Sequence, residues 1–439
     1  MRPGLFLTVA LALAGTRAAA QSDVAVVLDT NGAIHGGFPL QSAFCRETAK
    51  RFLQVNPDQF DGVVTFTTRS LSDLENVQQG TPVMLTAQGI STSPSFNFSA
   101  SYGSNNKLAQ CVFMGSLQKL PNNPDGPVQV FFGLPLGLTG VELVGHEYGH
   151  HWLLWLMYDK ADGRGPQHLL RGYESGSPNG HYNYHADSHS VMYGNFITDH
   201  GNGSFTLAGG DRKYGHLDQY LMGLRAPNET ADTFLIDDGS GEGNPAVAIP
   251  KGQTATKIGT RVDVTVDDVI RAMGPRVPSS ATAQKCWRVA FILVAEQGTT
   301  PTAAQLDKVD AYRRRFEQWF TWATDGRGTM DTRLDGTGCG TPAMPDAGMP
   351  EDAGTTPSDA GSDEDAGSND DDAGAGDTDA GLTGGADAGG GTVDAGSDAD
   401  GDDIGTLKPG CGCVAADGSV LWLALLGMGA AAARSRRRR

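Results

Sequence analysis

Residues 139–157 read TGVELVGHEYGHHWLLWLM and contain the HExxH sequence that runs from His146 to His150. Two histidines four positions apart lie on the same face of a helix, one turn from each other. Their ring nitrogens can then converge on one ion, about 2.0–2.1 Å from a zinc. Glu147 lies beside that ion, where it can take a proton from a metal-bound water. The stretch predicts a zinc site with His146 and His150 as ligands and Glu147 as the general base.

The flanking residues predict a helix that is buried in the middle of its domain. Thr139 and Glu142 form a T-x-x-E capping box at the start. The continuation HWLLWLMY is apolar nearly all the way round, as is typical of a buried helix. Gly145 and Gly149 each cost about 1 kcal/mol relative to alanine in a helix interior. We therefore expect a packing demand at these glycines, and at Gly149 the close approach of another backbone.

The net charge of −18 belongs almost entirely to one segment of the chain. Residues 341–409 hold 18 Asp or Glu and one Lys, which leaves a net charge of about −1 for the rest. A nearly neutral remainder gives no electrostatic support for nucleic-acid binding. The acidic segment repeats Asp-Ala-Gly with low hydrophobicity, which predicts an extended, disordered linker.

Residues 1–20 read as a secretory signal, with an early arginine, an apolar run and an A-x-A cleavage site. Export places the cysteines in an oxidising compartment. We expect the disulfides Cys45–Cys111 and Cys286–Cys339, because each pair would close its own half of residues 21–340. None of these cysteines has the close CxxC spacing of a zinc site.

The order of apolar patterns predicts an α+β domain over residues 21–340. Strand-like runs (DVAVVLDT, GVVTFTT, TPVMLTA, LAQCVFMGSL and PVQVFFGL) dominate the first half, interrupted by one helix over residues 42–55. A mixed sheet followed by a metal-bearing helix is the usual layout of zincin-like metallopeptidases. The second half predicts helices in HLDQYLMGL, in VTVDDVIRAMG, and in LDKVDAYRRRFEQWFTWAT with an arginine-rich outer face.

A hydrolytic zinc site needs a third protein ligand, and the sequence leaves its identity open. Leu153 and Leu156 occupy the positions that the metzincin pattern HExxHxxGxxH gives to glycine and histidine, and no NExxxD match follows as in thermolysin-like enzymes. The remaining candidates are Asp218, His185, His189 and Asp187. We favour Asp218 because it has a helical setting, with His185 next. The alternative for Asp218 is a carboxylate favoured at a helix N-terminus by the dipole.

The sequence resembles an uncharacterised family of secreted bacterial zincin-like (HExxH) proteins. The matching blocks are HEYGHHWL, HSVMYGN, HLDQYLMGL and VDDVIRAMGPRVPS. The resemblance implies a metallopeptidase-type site with His146 and His150 as ligands and Glu147 as the base. Residues 190–193 are also similar to the Met-turn beneath the metal of metzincins, although Met192 could simply pack in the core.

Residues 410–439 resemble the MYXO-CTERM sorting signal of myxobacterial surface proteins. They contain Cys411-Gly412-Cys413, a short apolar run and the basic end RSRRRR. The resemblance implies processing near the cysteines and lodging at the cell surface, in association with the outer membrane, or secretion after processing. An ordinary C-terminal membrane anchor is the alternative.

These patterns together predict a monomeric, cell-surface zinc endopeptidase that acts on protein or peptide substrates. Hydrolysis would use zinc-activated water with Glu147 as the general base. The oxyanion would be held by His185, His189 or Tyr193, which the sequence does not rank. The competing hypothesis is a catalytically weak surface binding protein or adhesin that keeps the zincin fold.

Overall fold

The computed structural model describes residues 23–37, 40–73, 75–91, 95–130, 134–168, 180–238, 249–335 and 339. The predicted signal sequence, the acidic linker and the sorting tail lie outside the described residues. None of the helices within these ranges has the length and apolar character needed to cross a bilayer.

The described residues form a mixed α and β structure, as the sequence predicts. Its helices are α1 (Gln41–Val55), α2 (Gly140–Gly149), α3 (His216–Leu221), α4 (Val266–Met273) and α5 (Ala303–Ala323). Its strands are β1 (Val24–Leu28), β2 (Gly62–Thr67), β3 (Gln79–Pro82), β4 (Met84–Leu85), β5 (Phe96–Asn97), β6 (Gln110–Ser116), β7 (Pro127–Val130), β8 (Leu134–Thr139), β9 (Met157–Tyr158), β10 (Gln167–His168), β11 (Phe196–Asp199), β12 (Ser204–Ala208), β13 (Thr233–Asp237), β14 (Thr254–Ile258), β15 (Thr260–Val264), β16 (Cys286–Ala295) and β17 (Thr329–Asp331).

A mixed sheet with the order β1-β16-β2-β6-β3 is the centre of the fold. The pairings among β1, β16, β2 and β6 are parallel, and β3 runs antiparallel to β6 at the outer edge. β17 pairs in parallel with the start of β16. Strands buried on both faces need continuous apolar runs, and β16 supplies one in VAFILVA.

Alternate side chains of the sheet enter two separate cores, because successive residues of a strand point to opposite faces. On one face Val63 packs in a cluster with Phe44 and Phe52 of α1. On the other face Val64 packs in a cluster that includes Val144 of α2 and many side chains of α5. The sheet thus lies between α1 on one side and α2 with α5 on the other.

The capping box predicted for α2 is confirmed, but the predicted length of this helix is wrong. Thr139 Oγ1 accepts from the Glu142 N–H at 3.3 Å, and Glu142 Oε2 accepts from the Thr139 N–H at 2.8 Å. The helix ends at Gly149, and the segment that follows it is buried without being helical. A stretch in which nearly every residue is apolar predicts burial. It does not distinguish a buried helix from a buried segment without helical structure.

The predicted arginine-rich outer face of α5 also needs a correction. The Arg313 side chain is buried, and its guanidinium contacts Asp310 at 2.7 Å and the Thr332 hydroxyl at 3.0 Å. Arg314, by contrast, is exposed. Helical periodicity predicts that the charge of Arg313 faces solvent. The charge is instead compensated inside the protein, by partners from α5 itself and from the chain after β17.

Both expected disulfides are confirmed. Cys45 of α1 is joined to Cys111 of β6, with 6.0 Å between their Cα atoms. Cys286, at the start of β16, is joined to Cys339, with a Cα separation of 5.6 Å. The first bridge holds a covering helix to the sheet, and the second closes the end of the described domain. Disulfides of this kind are compatible with an exported protein.

Gly145 on α2 provides a test of how tightly α5 crosses this helix. A Cβ at this position would overlap the indole ring of Trp319. In open space Gly→Ala would stabilise a helix, but overpacking costs about 1–3 kcal/mol. We expect Gly145→Ala to lower the free energy of unfolding in denaturant titrations. Gly36→Ala is the matched control, because no described residue lies within 4 Å of a Cβ at Gly36 and its φ is not positive. A neutral or stabilising Gly145→Ala would contradict this packing.

Candidate metal centre

Helix α2 places His146, Glu147 and His150 in the interior, where each has 0% exposure. His146 and His150 lie one turn apart, with ring centroids 5.0 Å from each other. His181, which lies 31 positions after His150, reaches the same place and is 7% exposed. Its Nε2 lies 3.0 Å from the Nε2 of His146.

These three histidines could hold a metal ion. One ring nitrogen from each lies within 4.8 Å of the other two. For comparison, ligand nitrogens about 2.0–2.1 Å from a tetrahedral zinc are about 3.3 Å apart. Among the described residues they form the one such group of histidine, cysteine or carboxylate side chains.

The electrostatics of the group favour neutral imidazoles, the form that binds metals. Burial lowers the pKa of His146 to about 4, although its hydrogen bond to the Val191 carbonyl opposes the shift. Burial lowers the pKa of His150 and His181 well below the usual value, and the neighbouring histidines lower it further. Three imidazoles that resist protonation in one place are ready to donate lone pairs to a cation.

The two ring nitrogens of His146 have different hydrogen-bond partners, and this determines which of them carries the proton. Its Nδ1 lies 2.8 Å from the Val191 carbonyl oxygen, which can only accept, so Nδ1 carries the proton. Its Nε2 is then the unprotonated nitrogen that faces His181. A backbone carbonyl in this role fixes both the tautomer and the orientation of a metal-binding imidazole.

His150 is the member whose surroundings fit a metal best. Among the described residues neither of its ring nitrogens has a hydrogen-bond partner, although the side chain is completely buried. A buried polar group without a partner costs about 1–3 kcal/mol. A cation bound to one of its nitrogens would remove part of that cost.

Gly180 explains how the chain brings His181 so close to His150. Its φ is +77°, a left-handed conformation that favours glycine. A Cβ at this position would lie 2.8 Å from His150 Nδ1. Both the backbone conformation and the close approach therefore require glycine immediately before His181.

Glu147 lies beside the histidine group without belonging to it. Its Oε2 accepts from the Gly80 N–H on β3 at 2.7 Å and lies 3.9 Å from His150 Nε2. Its backbone carbonyl accepts from Gln110 Nε2 at 3.1 Å. The outer strand of the sheet thus holds the carboxylate in place next to a candidate ligand.

The segment from Ser190 to Tyr193 packs directly on the group. The Tyr193 ring lies 4.5 Å from the ring of His146 and 4.6 Å from that of His181. Met192 is buried, and its Sδ lies 2.8 Å from where a Cβ of Gly149 would be. The close approach expected at Gly149 therefore occurs, but it is made by side chains, Met192 and Tyr214, and not by a backbone.

The structure places Asp218 apart from the three histidines and so corrects the expectation that it completes the set. Asp218 lies at the start of α3, where its Oδ2 accepts from the Gly215 N–H at 2.8 Å and its Oδ1 from the Tyr182 hydroxyl at 2.8 Å. This is the helix N-terminal carboxylate that was the alternative. Burial raises the pKa of Asp218 to about 6, against the hydrogen bonds that it accepts.

The other sequence candidates also lie outside the histidine group. His185 is buried, with its N–H donating to Asn183 Oδ1 at 2.9 Å, and burial lowers its pKa. His189 is exposed, and its Nε2 lies 2.9 Å from Oδ1 of Asp187. Both His189 and Asp187 line a separate cavity of about 350 Å³. Of the three oxyanion candidates, Tyr193 alone packs on the group.

His181 is the residue that sequence reasoning missed. It lies in a segment rich in glycine, asparagine and histidine after HExxH, a setting that signals a functional loop but does not rank its histidines. The glycine directly before His181 was the local sequence feature that could have identified this histidine. A preference for ligands on helices favoured Asp218 instead.

The geometry thus defines the class of site, a buried centre of three histidines that could hold a metal ion with a carboxylate alongside. Comparisons of the chain with family models, with curated proteins and with solved structures found no match. The hypotheses about its function therefore rest on the residues themselves.

Gly180→Ala tests the approach between His181 and His150. We expect the variant to bind a divalent metal more weakly, because the added Cβ displaces one of the two histidines. Gly163→Ala is the matched control, since Gly163 has a φ of +87° but no neighbour within 4 Å in the described part of the chain. Both variants carry a similar backbone penalty of about 1–2 kcal/mol. Equal metal affinity in the two variants, measured by competition with a chromogenic chelator, would contradict the expectation.

Proposed function

We propose that this chain is a zinc-dependent endopeptidase of the zincin type. The observation that carries the proposal is the Glu147 carboxylate, held by the Gly80 N–H next to three buried histidines. A base that lies near a metal-binding group without joining it is the arrangement that hydrolysis requires.

Zinc is the metal that this set of donors favours. Imidazole nitrogens suit zinc, copper, iron and nickel, and three protein ligands with one open position are typical of catalytic zinc. His146, His150 and His181 would hold the ion, so His181 replaces Asp218 as the proposed third ligand. When bound, zinc supplies a Lewis acid that polarises a carbonyl group and acidifies a bound water.

Glu147 supplies the proton transfers in this proposal. Its carboxylate accepts a proton from the attacking water and donates it to the leaving amine of the peptide. The hydrogen bond from Gly80 orients Oε2 of Glu147, which lies 3.9 Å from Nε2 of His150. Tyr193 is the proposed oxyanion donor, because it packs on His146 and His181.

The outer strand β3 favours an extended peptide as the substrate. It is the edge strand of the sheet; the Gly80 N–H is taken by the proposed base, and the next residues, Thr81 and Pro82, are only half-buried. Extended peptides commonly add to such an edge through main-chain hydrogen bonds. We therefore propose protein or peptide substrates.

We further propose that the enzyme works as a monomer outside the cell. Its two disulfides are compatible with export. The acidic segment 341–409 would serve as a tether, and residues 410–439 would associate with the membrane at the cell surface or be removed on secretion.

The second candidate function is a surface binding protein with a structural metal. The burial of the site favours it, because His146, Glu147 and His150 are fully covered by described residues. Closed sites are typical of structural zinc, whereas catalytic sites keep one position open. In that case Glu147 would orient the group and would carry no proton.

Glu147→Gln separates these two functions. Glutamine keeps the acceptor for the Gly80 N–H, so the variant should fold and bind one zinc per chain like the wild type. We expect its peptide cleavage to fall by about 10²–10⁴-fold, the usual contribution of a general base. Bound zinc would be measured by elemental analysis, and cleavage with a fluorogenic peptide library.

His181→Ala tests the metal set in the same assays. We expect a loss of stoichiometric zinc and of cleavage, whereas the exposed His189→Ala should retain both. Stoichiometric zinc without any cleavage by the wild type would favour the surface binding protein. Full zinc retention in His181→Ala would rule out the three-histidine centre.

A further inference from the structure

Asp218 interacts through its carboxylate with three different parts of the chain. The Tyr182 hydroxyl and the Gly215 N–H each donate to it at 2.8 Å, and the Ser190 side chain also favours its ionised form. The carboxylate is completely buried, and within the described ranges no lysine or arginine forms an ion pair with it. All three partners are neutral, so Asp218 meets a desolvation cost that no positive charge offsets.

Two of these partners lead to the candidate metal ligands. Tyr182 follows His181 directly, so its ring is an anchor next to that ligand. Ser190 leads to His146, because it precedes Val191, whose carbonyl holds His146 Nδ1 at 2.8 Å. Ser190 Oγ also accepts from the Met192 N–H at 3.0 Å, so the same hydroxyl shapes the turn.

The segment that contains Tyr182 and the turn that begins at Ser190 are also hydrogen-bonded to each other. The Tyr182 N–H donates to the Met192 carbonyl at 2.9 Å. The segment that carries His181 and the turn that holds His146 therefore form one connected unit, and the Asp218 carboxylate lies where the side chains of both converge.

We propose that Asp218 is the positioning residue of the metal centre, fixing His181 through Tyr182 and His146 through Ser190 and the Val191 carbonyl. This inference rests on the proposed metal site but not on peptidase activity. A carboxylate suits the role because it only accepts, so it can take several donors at once. An asparagine in its place presents an NH₂ group either to the Tyr182 hydroxyl or to the Gly215 N–H.

The closing experiment measures zinc affinity in the full-length protein by chelator competition. We expect Asp218→Asn to weaken zinc binding by about 10- to 100-fold, the usual effect of losing an outer partner of a metal ligand. The visible absorption spectrum of bound Co²⁺ should change as well, because the ligand geometry relaxes. A merely structural carboxylate would leave both readouts unchanged once the protein is folded.

Asp268→Asn is the matched control. Asp268 is also buried, also lies near the start of a short helix, and also accepts from the N–H three residues before it, that of Thr265 at 2.9 Å. It contacts Lys160 and Arg271 and none of the histidines of the centre. We expect this variant to lose stability but to keep wild-type zinc affinity and an unchanged Co²⁺ spectrum.

Tyr182→Phe and Ser190→Ala test the two supports separately and remain informative if Asp218→Asn fails to fold. Each should weaken zinc binding, because each removes one partner of Asp218 and leaves its ligand less well held. Wild-type zinc affinity in Asp218→Asn, or in both single-support variants, would overturn the inference while leaving the metal site intact. A wild-type protein that binds no zinc would instead overturn the proposed function itself.

Discussion

Complete burial of α2 is the constraint on which the rest of this structure depends. A helix with no solvent-facing side is close-packed against other elements all the way round. Its small residues lie where other parts of the chain approach it most closely. Gly145 admits Trp319 of α5, and Gly149 admits Met192. The same burial keeps the imidazoles of His146 and His150 neutral. Packing and metal-binding chemistry therefore have one cause.

Much of this site is visible in the sequence because it is local. The spacing of His146 and His150, the adjacency of Glu147 and the Thr139–Glu142 cap all lie within one short stretch, where helical geometry alone relates the side chains. The two disulfides were also predictable, since four cysteines in the folded region leave few pairings.

The remainder depends on tertiary contacts that local patterns do not encode. His181 reaches the centre because Gly180 takes a left-handed conformation next to His150. No repeating pattern in the sequence predicts that turn. Asp218 has the helical setting expected of a ligand, yet its carboxylate is used by Tyr182 and Ser190. The prediction that the helix continues beyond Gly149 was wrong for a related reason. An apolar stretch indicates that its residues are buried, but it does not indicate whether their backbone is helical.

The disulfide between Cys286 and Cys339 has a mechanical consequence. The chain continues beyond Cys339 into its acidic segment, and Cys286 is the first residue of β16, which lies between β1 and β2 in the sheet. Tension on that segment would enter the protein through a covalent bond to this central strand and would bypass α5 and β17. Pulling along the chain would therefore act on the best-supported strand of the fold before it could peel away the C-terminal helix.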